Sequence, residues 1–270
     1  MKKKDALGDR MKRYEMEEAG RRLMPRLPIL ARLDGRAFHT FTRGLDRPYD
    51  RNFSLCMINT MCMLVERYNA TLGYTQSDEI TLYWANDSID SEMPFDGRYQ
   101  KFTSLLAGGA SAYFLKRVMA LLPEKADRIP EFDCRVWQVP NEQEVYHNFL
   151  WRENDATRNS LQMAAQSQYS QKQLHLKGRA ELHELLFQAG INWNDYPAFF
   201  KRGTYAKRVV FDKWLTAAEL ARIPESRRPT GPVTRSEVRC LDVPPLSTYD
   251  QFAFQMAIHT DALATRGPLE

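Results

Sequence analysis

The strongest constraint on what this chain can fold into is the order in which its apolar period switches between residues 28 and 139. Residues 28–34 (Pro-Ile-Leu-Ala-Arg-Leu-Asp) begin at a proline, put Ile29, Ala31 and Leu33 on one face and stop at Gly35, which describes a short strand ending on Asp34. From Asp50 to Asn69 the apolar residues Phe53, Met57, Met61, Leu64, Val65 and Tyr68 recur near every 3.6 positions, a helix with Asp50 as N-cap. Residues 72–84 are β-branched and aromatic around a polar centre, Gln76-Ser77-Asp78-Glu79, and predict a hairpin with acids at its tip. A second helix follows over 98–120, with Phe102, Leu105, Leu106, Gly109, Tyr113 and Val118 on one side and Ala107-Gly108-Gly109-Ala110 letting its backbone approach a sheet. A last strand runs over 132–139 and ends at Pro140. The order βαββαβ is the ferredoxin-like split arrangement, an α+β fold with helices on one face of an antiparallel sheet.

The second half reads as more helical. Asn141-Glu-Gln-Glu144 forms a capping box, Asp155 is placed to cap another helix, and Leu182, Leu185 and Leu186 precede a C-capping Gly190. The Gln- and Ser-rich stretch 166–173 reads as a helix end, and 222–234, with Pro224, Pro229, Gly231 and Pro232, as a loop. Two units are expected: a catalytic unit over 1–140, and a helical and mixed extension over 141–270 packed on it.

With 270 residues, 43% of them apolar, the chain can bury a sizeable core. Its net charge of +4 is small but has the sign a nucleic-acid binder needs. The basic residues gather at Lys2, Lys3, Lys4, Arg10, Lys12 and Arg13, and again at Lys201, Arg202, Lys207, Arg208, Lys213, Arg227 and Arg228, two regions able to track a phosphate backbone. Cys56, Cys62, Cys134 and Cys240 lack paired spacing and read as free thiols, which suits a reducing cytoplasm. No apolar run reaches the ~18 residues of a membrane span.

The acids at the ends of these elements hold the chemistry. In a βαββαβ sheet the first and third strands are central neighbours, so Asp34 comes beside Asp78, with Glu79 next door. Two converging carboxylates can hold a pair of magnesium ions ~4 Å apart that activate an attacking oxygen and stabilise a leaving phosphate. Asp is also an ordinary turn residue at both places. What distinguishes these two is their company: Phe38 offers a ring to a base, His39 a polar group, and Arg47, Arg98 and Lys101 charges for a triphosphate.

The run Arg32-Leu33-Asp34-Gly35-Arg36-Ala37-Phe38-His39, followed by Gln76-Ser77-Asp78-Glu79, closely resembles the signature of the tRNA-histidine guanylyltransferase family and its 3′-to-5′ polymerase relatives. Weaker likeness continues through Arg98 and Lys101, Phe132-Asp133 with Arg135, Trp151-Arg152 and Arg202-Gly203-Thr204, covering residues 25–205. The resemblance implies a polymerase-like palm and a magnesium-dependent nucleotidyltransferase. Asp34 and Asp78 would be catalytic and ligate two Mg2+ ions with the Gly35 carbonyl, and Glu79 would be an accessory acid. The nucleotide would meet Asp34, Gly35, Arg36, Ala37, Phe38, His39, Arg47, Ser77, Asp78, Arg98 and Lys101, and RNA would meet Arg152, Lys201, Arg202, Lys207 and Arg208.

It also implies ATP for activating a 5′-monophosphate, GTP or another nucleoside triphosphate for addition, tRNA as partner, and a homo-oligomer, a tetramer in many members. Eukaryotic members that add guanosine to histidine tRNA have His-Ile-Asn-Asn-Leu-Tyr-Asn where this chain reads Thr157-Arg158-Asn159-Ser160-Leu161-Gln162-Met163. Only Asn159 and Leu161 agree, which favours the bacterial and archaeal type that repairs tRNA 5′ ends by template. The alternatives are a strict histidine-tRNA guanylyltransferase and a non-catalytic RNA-binding module of the same fold.

Overall fold

The computed structural model describes residues 5–86, 93–260, 263 and 265–266. Lys2, Lys3 and Lys4 of the N-terminal basic group lie outside them. Helix α1 (Ala6–Ala19) is followed by β1 (Ile29–Gly35), the short α2 (Phe38–Phe41), α3 (Arg51–Tyr68), β2 (Leu72–Gln76), β3 (Glu79–Trp84), α4 (Tyr99–Leu121) and β4 (Phe132–Gln138). Then come α5 (Glu142–Gln168), α6 (Gln171–Leu174), α7 (Arg179–Gln188), α8 (Ala198–Arg202), β5 (Thr204–Lys213), α9 (Ala217–Ala221), β6 (Val233–Leu241), α10 (Gln251–His259) and β7 (Thr265–Arg266).

The first four strands lie in the order β4-β1-β3-β2, the ferredoxin-like arrangement expected of a βαββαβ chain. The caps that punctuate it are local. Asp50 Oδ1 accepts from the Phe53 amide at 2.8 Å to start α3, and Asn69, at φ 51°, ends it in the left-handed conformation that Asn tolerates. Ile29, Ala31 and Leu33 share one side of the sheet with Ile80, Leu82 and Trp84, and α3 and α4 pack there. The face α4 buries is Phe102, Leu106, Ala110, Phe114 and Val118, while Leu105 is exposed. A Cβ on Gly109 would stand 2.8 Å from the Tyr68 hydroxyl, so that glycine makes room for α3 and not for the sheet.

The opposite side of the sheet is covered by the second half of the chain. Leu30, Leu72, Tyr74 and Tyr83 pack against Val145, Tyr146 and Phe149 of α5 and Phe254 and Ile258 of α10. Asn141 caps α5 as the sequence predicts, but the helix runs unbroken for 27 residues, so Asp155 caps nothing and pairs along the helix instead. The sheet itself crosses residue 140: β5 pairs with β2, and β6 and β7 extend it to seven strands. Periodicity does not announce β5 and β6, because Lys207, Arg208, Lys213, Arg235 and Arg239 interrupt their apolar alternation. Among the described residues no helix is long and apolar enough to cross a membrane.

Candidate active site

Register brings the two aspartates together. Asp34 is paired across the ladder with Glu79, and the Gly35 amide donates to the Asp78 carbonyl at 3.0 Å, which sets the hairpin tip against the end of β1. Ser77, at φ 50°, makes the tight corner that turns Asp78 toward β1. Burial and then the charge of Asp34 push the Asp78 carboxyl above its usual range, against hydrogen bonds from its own backbone and Ser77. Among the described residues no cation forms a salt bridge with Asp34 or Asp78. Two half-buried carboxylates thus sit close enough to repel, with His39 and the Ser77 hydroxyl only partly offsetting the burial and charge that raise Asp78.

Asp78 also borders a cleft of about 580 Å³. One wall is the segment from Phe38 to Ser54, including His39, Arg43 and Arg47, and the other is α5, with Asn159, Ser160, Met163 and Gln166. Arg43 and Arg47 are exposed at its rim and enter no ion pair among the described residues. Phe199 and Phe200 close the end, where Tyr49 meets Phe200 at 4.8 Å and Phe199 at 5.2 Å between ring centroids. These three half-buried rings, which the sequence does not single out, are the aromatic surface the cleft offers.

Phe38 is not part of that surface. It is 2% exposed, packed among Phe41, Phe114 and Phe132 at 5.0–5.4 Å, and cannot stack on a base. Its place explains Gly35: a Cβ there would lie 2.5 Å from Phe38 Cγ, in a ring cluster that cannot give way. Gly35→Ala is therefore expected to destabilise the fold by about 1–3 kcal/mol through overpacking, read as a lower melting temperature. Ala37, at φ 55°, turns the chain into α2, and Arg36 is held outward by Glu131 at 2.7 Å.

Glu79 is placed differently from the expected accessory acid. It is 7% exposed and accepts two bonds from Arg152, both 2.7 Å, with Arg32 at 3.9 Å. Burial pushes its carboxyl up against the pull of Arg152, and the bidentate pair holds α5 to β3. Arg152 is thus a buried strut and not an RNA contact. Lys207 is likewise buried, its Nζ donating to the Ile258 carbonyl at 3.1 Å and also to Ala257 and Thr260, where it caps the C-terminus of α10. Arg208 donates to the Glu66 carbonyl at 2.9 Å at the end of α3. Lys201 bonds the Asn194 carbonyl beside Trp193, and Arg202 the Val243 carbonyl at 3.4 Å.

Arg98 and Lys101 lie the whole length of β1 away from Asp34. The start of α4 is tied to the segment entering β1, Leu23 to Gly97 at 2.8 Å and Tyr99 to Arg21 at 3.1 Å, so within one chain neither basic residue reaches the aspartate pair. The βαββαβ order already contains this, since β3 runs from the hairpin tip beside Asp34 to the far end of the sheet, where α4 starts.

Residues 8–140 match the family model described as Thg1, tRNAHis guanylyltransferase. A bacterial tRNA(His) guanylyltransferase (Thg1)-like protein solved in complex with ATP is 31% identical, with 93% of this chain and 98% of that one aligned at a TM-score of 0.74. One solved in complex with GTP is 28% identical, with 95% of this chain and 100% of that one aligned at 0.72. The tRNA(His) guanylyltransferase of Schizosaccharomyces pombe is 29% identical over 221 residues, 75% of this chain and 80% of its own. An aspartate pair at the end of β1, a nucleotide-sized cleft beside it and likeness along nearly the full length agree: the chain belongs to the tRNAHis guanylyltransferase (Thg1) family of nucleotidyltransferases.

Proposed function

We propose that the protein is a magnesium-dependent 3′-to-5′ nucleotidyltransferase that restores the 5′ end of tRNA, choosing each nucleotide by pairing with the opposing strand. The observation that supports the chemistry is that Asp34 and Asp78 interact electrostatically at the hairpin tip, without a salt bridge to either among the described residues, and that Asp78 borders the cleft. Among the described residues no three His, Cys, Asp or Glu side chains form a metal site. Two hard carboxylates fit magnesium nonetheless, since that ion is commonly held by one or two carboxylates, with waters and substrate phosphates filling the shell. When bound, the ions would neutralise phosphate charge and lower the pKa of the attacking hydroxyl.

The chain's own residues have separate tasks in this reading. Asp34 and Asp78, with the Gly35 carbonyl, would hold the ions, and Arg43 and Arg47 at the rim of the cleft would pair with the triphosphate. His39 and Ser77 line the same cleft beside it. Tyr49 and Phe200, half-buried and packed on each other at the end of the cleft, would let a base of any kind stack on an outer ring face, which leaves base choice to pairing. Relatives solved in complex with ATP and with GTP support nucleoside triphosphates as the ligands of this protein. Arg98 and Lys101 would keep a phosphate role only toward the site of another copy in a homo-oligomer. Four free thiols suit action in the cytoplasm.

Templating is supported by the departure at Thr157–Met163, since Ser160 and Met163, two of the positions that differ, line the cleft. The test is a set of tRNAs lacking the first nucleotide and differing only in the base opposite the gap. Each is expected to be refilled with the complementary nucleotide, and intact histidine tRNA to be no better than others. Guanosine added whatever the opposing base would assign the protein instead to strict guanylyltransferases, the activity named for its yeast relatives.

A further inference from the structure

The strands β5 and β6 leave the body of the protein as a ribbon. Only Thr204, Tyr205 and Ala206 of β5 pair with β2, whereas the β5–β6 ladder continues to Lys213 and Val233. A two-stranded ribbon is marginal by itself, and this one is secured at both ends. At its base Lys207 caps α10 and Arg208 caps α3. At its tip Thr216 and Glu219 form a capping box for α9, Lys213 bonds Glu219 at 2.7 Å, and Arg228 donates to the Leu220 and Ile223 carbonyls at 3.1 Å. The tip is built, not merely extended.

Residues 207–239 contain eight lysines and arginines against four acids, an excess that equals the whole chain's +4. Five of the eight are used internally: Lys207, Arg208 and Arg228 on carbonyls, Lys213 on Glu219 and Arg239 on Glu237. The other three, Arg222, Arg227 and Arg235, are exposed, and among the described residues no carboxylate pairs with them. Trp214, the residue that follows β5 at the same tip, is 71% exposed. Unpaired arginines with an exposed aromatic fit a polyanion with ring faces better than they fit a protein surface.

Direction gives the ribbon its reach. Thr204 lies opposite Thr75, near the Asp78 end of the sheet, and β5 runs from there away from the aspartates. At ~3.3 Å per residue its length carries the tip about 30 Å from the site, comparable to one turn of a duplex (~34 Å). We infer that the ribbon tip is a second RNA contact, on which Arg222, Arg227, Arg235 and Trp214 grip the phosphate backbone of the substrate's duplex body about one helical turn from the 5′ end held at Asp34 and Asp78. It rests on the tRNA reading above and assigns the remote part of that substrate to a place.

The experiment compares the full chain with its Arg222→Ala/Arg227→Ala/Arg235→Ala variant on two RNAs sharing one 5′ end: a whole tRNA, and an acceptor duplex too short to reach the tip. Expected are a kcat/KM lowered at least about tenfold on tRNA only, and a log-log salt slope for tRNA binding reduced by about 2–3. Nucleotide binding and melting temperature stay unchanged. The same three positions changed to Lys should keep most of the tRNA binding, which separates loss of charge from loss of folding. Equal loss on both RNAs, no loss on either, or a change in oligomeric state by light scattering would overturn the inference, the last by making the ribbon a protein interface. A wild-type chain that extends neither RNA would instead overturn the proposed function.

Discussion

Asp34→Asn and Asp78→Asn are each expected to lower nucleotide addition by roughly 10³-fold, because losing one of two carboxylates removes about 4 kcal/mol of charge stabilisation from the transition state. Folding should move the other way. The folded pKa of Asp78 lies above its ordinary 3.8, so the fold prefers the protonated acid. Its favourable contribution is full below the ordinary value and is lost as pH rises through the folded one, leaving a penalty at neutral pH. Without magnesium, Asp78→Asn should therefore raise the melting temperature at pH 7, and the gain should disappear near pH 3, below the ordinary value. Magnesium should stabilise the wild type and not the variant, since only a state that binds the ion gains from it. Near-normal turnover by either variant would remove the aspartates from the chemistry.

The second large effect is structural. Arg152→Met leaves Glu79 buried and charged without its bidentate partner, and deprives Asp155 of one as well. Breaking a buried pair from one side costs about 3–5 kcal/mol, here a fall in melting temperature of about 10 °C or more. Adding Glu79→Gln should restore a large part of that loss, because the uncompensated charge is gone. If Arg152 instead served RNA, the single variant would melt normally and bind RNA weakly, and the double variant would bring no recovery.

How much of this was legible in the sequence depends on whether the deciding interaction is local. The β1-α3-β2-β3-α4-β4 order follows from periodicity and caps within each segment, and Asp34 and Asp78 are readable because each ends an element that the topology brings to one edge. Phe38 is misleading for the opposite reason. An aromatic two residues from a presumed nucleotide contact suggests stacking, yet the missing Cβ at Gly35 lets the ring turn inward, and only the surrounding phenylalanines show it. Glu79 and Arg152 meet across 73 positions, and Lys207 and the α10 carbonyls across about 50, so neither pairing leaves a mark in either local sequence. Charged side chains read as surface until a long-range partner is known. The positions of Arg98 and Lys101 follow from the topology and not from their spacing to the aspartates, because β3 carries the chain to the far end of the sheet before α4 begins.

In the proposed function the aspartate pair and the cleft beside it add nucleotides to the 5′ end of RNA. That addition is read by single-turnover incubation of 5′-monophosphorylated, one-nucleotide-truncated tRNA with ATP, labelled nucleoside triphosphates and a magnesium series, using wild type and Asp78→Asn. The expected result is a product one nucleotide longer at its 5′ end, formed by the wild type only with magnesium and by the variant roughly 10³-fold more slowly. Label entering at the 3′ end, extension that does not respond to magnesium, or equal rates for the two proteins would contradict it.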